Sequence, residues 1–200
     1  MSRLIHNHFL LFFIVSLIVL SSSIPKLSAM AAGATNTEFI RTSCETTSYP
    51  RLCFNSLSSH ARFIRADPQL MAHTALTVTL QTAQSTAAAM GRLARSHGLT
   101  HREIGAMRDC VEELSESVDE LRESLGEMKQ LRGRDFEMKM NDIQTWVSAA
   151  LTDDDTCTDG FAGKVTRRGV KTAVRGKIMK VAHLTSNALA LINRFAQLHG

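Results

Sequence analysis

Residues 107–128 read MRDCVEELSESVDELRESLGEM, and within them Val111, Leu114, Val118, Leu121, Leu125 and Met128 recur at alternating steps of three and four. That spacing gathers six apolar side chains into one narrow stripe of a helix, which is the pattern of a bundle seam. The helix has a start signal upstream, because Thr100 with Glu103 forms a capping box. It is predicted to run to about Leu131, ahead of Gly133.

A seam of this kind needs partners, and the flanking sequence supplies them. Upstream, Asp67-Pro68 combines an N-cap with a proline at the first helical position, and the helix can continue to His97-Gly98, where glycine can close it. Downstream, Asp135 can cap a helix with Met140, Ile143, Val147 and Ala150 on its inner stripe. A last helix from about Thr172 to Leu198 carries Val174, Ile178, Val181, Leu184, Ala188, Leu191 and Phe195. Ahead of all four, Thr37 to Ser48 and Arg51 to Ala61 read as two short helices around Tyr49-Pro50, since the residue before proline is driven out of the helical region. The expected fold is all-α: an antiparallel four-helix bundle over 67–200, with an N-terminal helical hairpin over 35–62, in one domain spanning 35–200. No internal repeat or low-complexity tract competes with this reading.

Residues 1–31 read as a signal peptide. Arg3 gives a positive start, Phe9 to Leu20 is an apolar run, and small residues between 29 and 34 offer cleavage sites. The run is shorter than the roughly 20 residues a membrane span requires, so the expectation is a secreted, extracellular product with no membrane association. Without Arg3 and Lys26 the chain has 21 basic and 19 acidic residues, too even a balance for nucleic-acid binding by bulk charge. The distribution is uneven: Asp109 to Asp159 holds fifteen acids against five bases, while Gly160 to Gly200 holds eight bases and no acid. The two regions are expected to lie side by side or to serve different partners. Cys44, Cys53, Cys110 and Cys157 are an even set in an oxidising compartment, which implies two disulfides with three connectivities open.

The stretch LTDDDTCTDGF, residues 151–161, concentrates carboxylates around a cysteine. Its aspartates lack the alternate spacing and closing glutamate of a calcium loop, and Thr152 reads instead as the N-cap of a short helix with acids in its first turn. His97 and His101 stand four apart, but Gly98 and the Thr100 cap break the helix between them, so they read as surface histidines near a turn. No G-x-S-x-G, H-E-x-x-H or glycine-rich phosphate loop occurs, and oxidised cysteines are not nucleophiles, so no enzymatic activity is expected. No cofactor or metal is implied. Glu112, Glu116, Asp119 and Glu123 form a stripe on one side of the seam, with Glu113, Glu120 and Glu127 on the other flank. Like charges four apart repel by a few tenths of a kcal/mol, so the stripe can be retained for a partner. The basic run Arg167, Arg168, Lys171, Arg175, Lys177, Lys180 could pair with the acidic helix internally.

Four stretches carry a resemblance: FIRTSCETTSYPRLCFNSL (39–57), MRDCVEELSESVDELRESL (107–125), TWVSAALTDDDTCTDGF (145–161) and LTSNALALIN (184–193). In this order the chain resembles the plant invertase and pectin methylesterase inhibitor family. The resemblance implies a four-helix bundle with an N-terminal hairpin and selects Cys44 with Cys53 and Cys110 with Cys157. It also implies a proteinaceous inhibitor of the apoplast or cell wall that covers the cleft of a pectin methylesterase in a 1:1 complex, limiting pectin demethylesterification, itself a monomer. The positions it transfers to the interface are Glu112, Glu116, Asp119, Gln144, Thr156 and Asp159. The alternative branch inhibits acid invertase and is similar in the half near Cys157, but uses a Pro-Lys-Phe turn between later helices, and no proline follows Pro68 here. A secreted helical interaction module without an enzyme target is the reading from another class.

Overall fold

The computed structural model describes residues 33–131, 133–161 and 168–199. The leader at 1–31 and Arg167 of the basic run lie outside the described residues. The first helix, α1, covers 33–44. It is followed by α2 (Pro50–Leu57), a single 3-10 turn (Ser58–His60) and α3 (Ala61–Ile64), and then by four long helices, α4 (Pro68–Ala94), α5 (His101–Met128), α6 (Phe136–Asp159) and α7 (Arg168–Gln197). Among the described residues there is no strand, and no helix is long and apolar enough to cross a membrane.

The predicted caps are present where the local chemistry is complete. The Asp67 carboxylate accepts from the Leu70 backbone N–H at 2.9 Å, with Pro68 in the first turn of α4. At α5 the box is reciprocal: Thr100 Oγ1 accepts from Glu103 N–H at 3.2 Å, and Glu103 Oε2 accepts from Thr100 N–H at 2.8 Å. Gly98 and Gly133 turn the chain with φ of 87° and 82°, the left-handed region that disfavours a side chain. α4 tolerates its threonines because Thr74, Thr77, Thr79 and Thr82 each donate to the carbonyl four residues back.

Three expectations require correction. Asp135 stands at the N-cap of α6 but its side chain makes no capping bond. Thr152 does not start a helix: α6 runs unbroken through it to Asp159, and the Thr152 hydroxyl donates to the Ser148 carbonyl within the helix. The reason is register. The inner stripe Met140, Ile143, Val147, Ala150 continues without a break into Asp154 and Cys157, all buried, so packing extends the helix past the aspartates. α7 also begins at Arg168, about one turn earlier than its apolar stripe suggested.

The four long helices pack in a ring, α4 against α5, α5 against α6, α6 against α7 and α7 against α4. α5 and α7 are therefore diagonal partners, and the acidic helix does not pair with the basic one. Seam residues Leu114, Val118, Leu121 and Met128 are buried in the core together with Ile143, Val147, Val181 and Leu191. Cys110 is bonded to Cys157, clipping the start of α5 to the end of α6, and Cys44 is bonded to Cys53 across the hairpin. A satellite cluster of Met90, Met107, Leu114, Phe161, Val174 and Ile178 packs around the first of these clips. The hairpin is held to the bundle by Asn187 of α7, whose Oδ1 accepts from Tyr49 N–H and whose Nδ2 donates to the Tyr49 carbonyl, both at 3.0 Å. Tyr49 stacks on His183, with ring centroids 3.6 Å apart.

Candidate functional site

Because α5 is amphipathic, its buried seam dictates which acids reach solvent. Glu112, Glu116, Asp119 and Glu123 are exposed, in a row along the outer side of the helix. The row is not uniform, since Arg122 donates a charge-assisted hydrogen bond to the Asp119 carboxylate. Both side chains of that pair are more than half exposed, so its contribution to stability is small.

The second flank is not the mirror image that spacing suggested. Glu113, Glu120 and Glu127 are half-buried and turned toward α6. Glu127 meets Lys139 at 3.7 Å. Glu120 meets another acid, Asp153, and both carboxyls are shifted upward, Glu120 to about 7, chiefly because burial penalises the charged form. The Asp153 charge raises Glu120 further, whereas for Asp153 a hydrogen bond with Glu120 opposes the burial and the Glu116 charge adds to it. Glu120 Oε2 and Asp153 Oδ2 are buried and find no donor elsewhere. A proton on either carboxyl can donate to the other. Burial and then the nearby carboxylates also raise Glu113, and single oxygens of Glu113, Glu116 and Asp153 lie within 4.8 Å of one another. These three could ligate a hard cation by their chemistry.

Behind this surface lies a buried polar node. Asp154 is fully buried, where it accepts from Ser117 Oγ of α5 at 3.1 Å and from Thr185 Oγ1 of α7 at 2.8 Å. Burial pushes its carboxyl up to about 7, although both hydroxyls pull it down. Thr185 Oγ1 is also 3.0 Å from the Val181 carbonyl, and its single proton serves one acceptor at a time. With Asp154 protonated both bonds form, Asp154 donating to Thr185 and Thr185 to Val181. Sequence reasoning missed this residue. The signal was an acid at a position in register with Ala150 and Cys157.

Five of the six candidate positions share the α5–α6 side. Glu112, Glu116 and Asp119 line α5, while Thr156 and Asp159 are exposed on the last turn of α6. Beside the Cys110–Cys157 clip, Thr156 and Asp159 line one open groove with Asp109, Glu113 and Arg102 of α5, while Glu112, Glu116 and Asp119 are not among its lining residues. Gln144 stands apart: it is half-buried near the other end of α6 and donates from Nε2 to Asn193 Oδ1 of α7 at 2.9 Å. His97 and His101 are both exposed, on either side of the Gly98 turn. The arrangement is an acidic, outward-facing surface on a rigid, clipped scaffold. Such a surface can engage a complementary protein and offers no nucleophile with a base.

A family profile described as plant invertase/pectin methylesterase inhibitor matches residues 38–191. The chain is 46% identical over 187 residues to a "21 kDa protein" of Daucus carota, an alignment covering 92% of this chain and 96% of that one. It is 44% identical over 199 residues to "Pectinesterase inhibitor 11" of Arabidopsis thaliana, covering 98% of each. Among solved structures it is similar to a mutant form of a pectin methylesterase inhibitor from Arabidopsis, with a TM-score of 0.62 and 25% identity over 75% of this chain and 92% of that one.

Proposed function

The chain belongs to the plant invertase/pectin methylesterase inhibitor family, and from that membership we propose that it binds a pectin methylesterase and blocks its active-site cleft. It is an inhibitor protein and not itself an enzyme. The observation that carries this reading is the exposed row Glu112, Glu116, Asp119 on α5, with Thr156 and Asp159 exposed on the last turn of the neighbouring α6, on a bundle similar to that of a solved pectin methylesterase inhibitor. Acidic side chains held on a rigid helix can meet donors or cations on the enzyme with little loss of side-chain order. Gln144, remote from this row and already bonded to Asn193, serves the complex from its edge.

The complex is 1:1 and the free protein a monomer acting in the apoplast after removal of residues 1–31. The domain then spans 35–200, with the hairpin at 35–62 and the bundle at 67–200. Titrating a pectin methylesterase and an acid invertase in parallel with the purified chain tests the target: loss of esterase activity alone, with an endpoint at one inhibitor per enzyme, is the expected result. Loss of invertase activity alone would transfer the reading to the other branch of the family, and loss of neither would leave a binding module without an enzyme target. Sedimentation of the free chain checks the monomer, and N-terminal sequencing of the secreted protein checks the processing site.

A further inference from the structure

α4 and α7 contain no aspartate or glutamate at all, whereas α5 and α6 carry acids along their whole length. In the ring of helices α4 and α7 are neighbours, as are α5 and α6, so the acid-free pair forms the side of the bundle opposite the proposed enzyme-binding face. Six basic side chains are exposed on these two helices, Arg92 and Arg95 at the end of α4 and Arg168, Arg175, Lys177 and Lys180 on the first half of α7, and four of them, Arg92, Arg95, Lys177 and Lys180, lie away from α6. Both groups sit at the same end, because Met90, Leu93 and Ala94 pack in one cluster with Val174 and Ile178. Among the described residues none of the six forms an ion pair.

The patch has an orientation. Arg175 lines the groove between α6 and α7, together with Asp155 and Asp159 from the other wall. By helical period Lys177 and Lys180 lie on the opposite flank of α7, toward α4 and away from those acids. The exposed large apolar side chain on this half of α7 is Met179, and it lines the α6 groove and not the lysine flank. A surface of bases without apolar side chains between them suits a hydrated polyanion and lacks what insertion into a bilayer needs.

We propose that the α4–α7 face binds an anionic polysaccharide, a polyuronate bearing one carboxylate per sugar, while the acidic α5–α6 face engages the esterase. The choice of polyanion rests on the target proposed above. Hydrolysis of each methyl ester consumes one water and releases methanol and a proton, and it leaves one carboxylate on the polymer. The product of the target enzyme is therefore a polyanion that accumulates where the enzyme works. An inhibitor held on that product through one face keeps the other free for the enzyme.

The test uses the purified chain without any esterase, on immobilised polygalacturonate and on fully methyl-esterified pectin, at low and raised salt. Binding to polygalacturonate that weakens with salt, with none to the esterified polymer, is expected. Lys177→Glu with Lys180→Glu should weaken that binding at least tenfold, and Arg92→Glu with Arg95→Glu should also weaken it. Both double variants should keep the parent's melting temperature and its inhibition of the esterase on a short soluble ester. Equal retention of parent and variants, equal binding to the esterified polymer, or equally tight binding to vesicles of anionic lipid would overturn the proposal. So would salt-reversible self-association abolished by the same substitutions in a chain that ignores polygalacturonate, which would make this face an interface between copies. A chain that inhibits the esterase but ignores the polymer sinks only this inference, and one that binds the polymer without inhibiting sinks only the esterase reading.

Discussion

A carboxyl at a core position of α6, such as that of Asp154, is tolerated when protonated and penalised when ionised. Its usual value is 3.8 and its value in the fold is about 7, so between these limits the folded state holds the proton more tightly than the unfolded chain. The sign follows: the contribution of Asp154 to stability is greatest below about pH 4, declines as pH rises toward 7, and is flat above, with a loss on the order of 4 kcal/mol from this group. Melting temperature should therefore fall between mildly acidic and mildly alkaline buffer, by roughly 2 to 4 °C per kcal/mol for a chain of this size. Asp154→Asn keeps the shape and removes the titration, and most of the difference between the two buffers should disappear with it. Glu120, Asp153 and Glu113, whose shifts have the same sign, contribute to the remainder, and His73 and His183, whose pKa burial lowers, oppose it. A different test applies to the exposed row. Glu116→Lys with Asp119→Lys should weaken esterase inhibition at least tenfold, about 1.4 kcal/mol, with helix content and melting temperature nearly unchanged. Inhibition equal to the parent's would remove α5 from the interface and leave Thr156 and Asp159 as its core.

At the level of elements, two connections turn separate helices into one body. The Cys110–Cys157 bond closes a separation of 47 residues and fixes α5 against α6 beside the satellite cluster. Replacing both cysteines by serine should cost on the order of 2 to 5 kcal/mol. Hydrogen exchange should then accelerate first around Met107, Leu114 and Phe161, and not at the end of the bundle near Leu131 and Phe195. The second connection is the Asn187 amide, which satisfies both the N–H and the carbonyl of Tyr49 where Pro50 interrupts the hairpin. Asn187→Ala leaves the Tyr49 N–H without that partner, while the Tyr49 carbonyl keeps its bond from Cys53 N–H, at about 1 kcal/mol. Limited proteolysis should cut such a variant within 45–50 while the four long helices stay resistant. Equal protection of parent and variant would mean that Tyr49 stacking on His183, with the hairpin disulfide, holds the turn without the amide.

On the scale of the whole molecule, the division of charge is the property that neither residue nor element reveals. If the acidic side steers the enzyme, raising salt from about 0.05 to about 0.5 M should slow association far more than it changes dissociation, because the screening length of exposed charges falls from about 14 Å to about 4 Å over this range. Much of the fold was legible in the chain. The α5 seam from Val111 to Met128, the Thr100–Glu103 box and the Asp67-Pro68 start are local patterns whose chemistry closes within one or two turns, so the sequence by itself determined an all-helical bundle and the exposure of Glu112, Glu116 and Asp119. Other features depend on partners distant in the chain. Residues 151–161 read locally as a helix start, and only packing against α5 and α7 made them the continuation of α6. Glu120 and Asp153 are ordinary surface acids until α5 meets α6. Asp154 needs Ser117 and Thr185, thirty-seven and thirty-one residues away, to become a buried node. The separation of acidic and basic faces follows from the ring order of the helices, which places α5 and α7 on the diagonal. Periodicity specifies which side of a helix is buried, but the burial that shifts a carboxyl and the neighbours that share its proton exist only once the helices are packed.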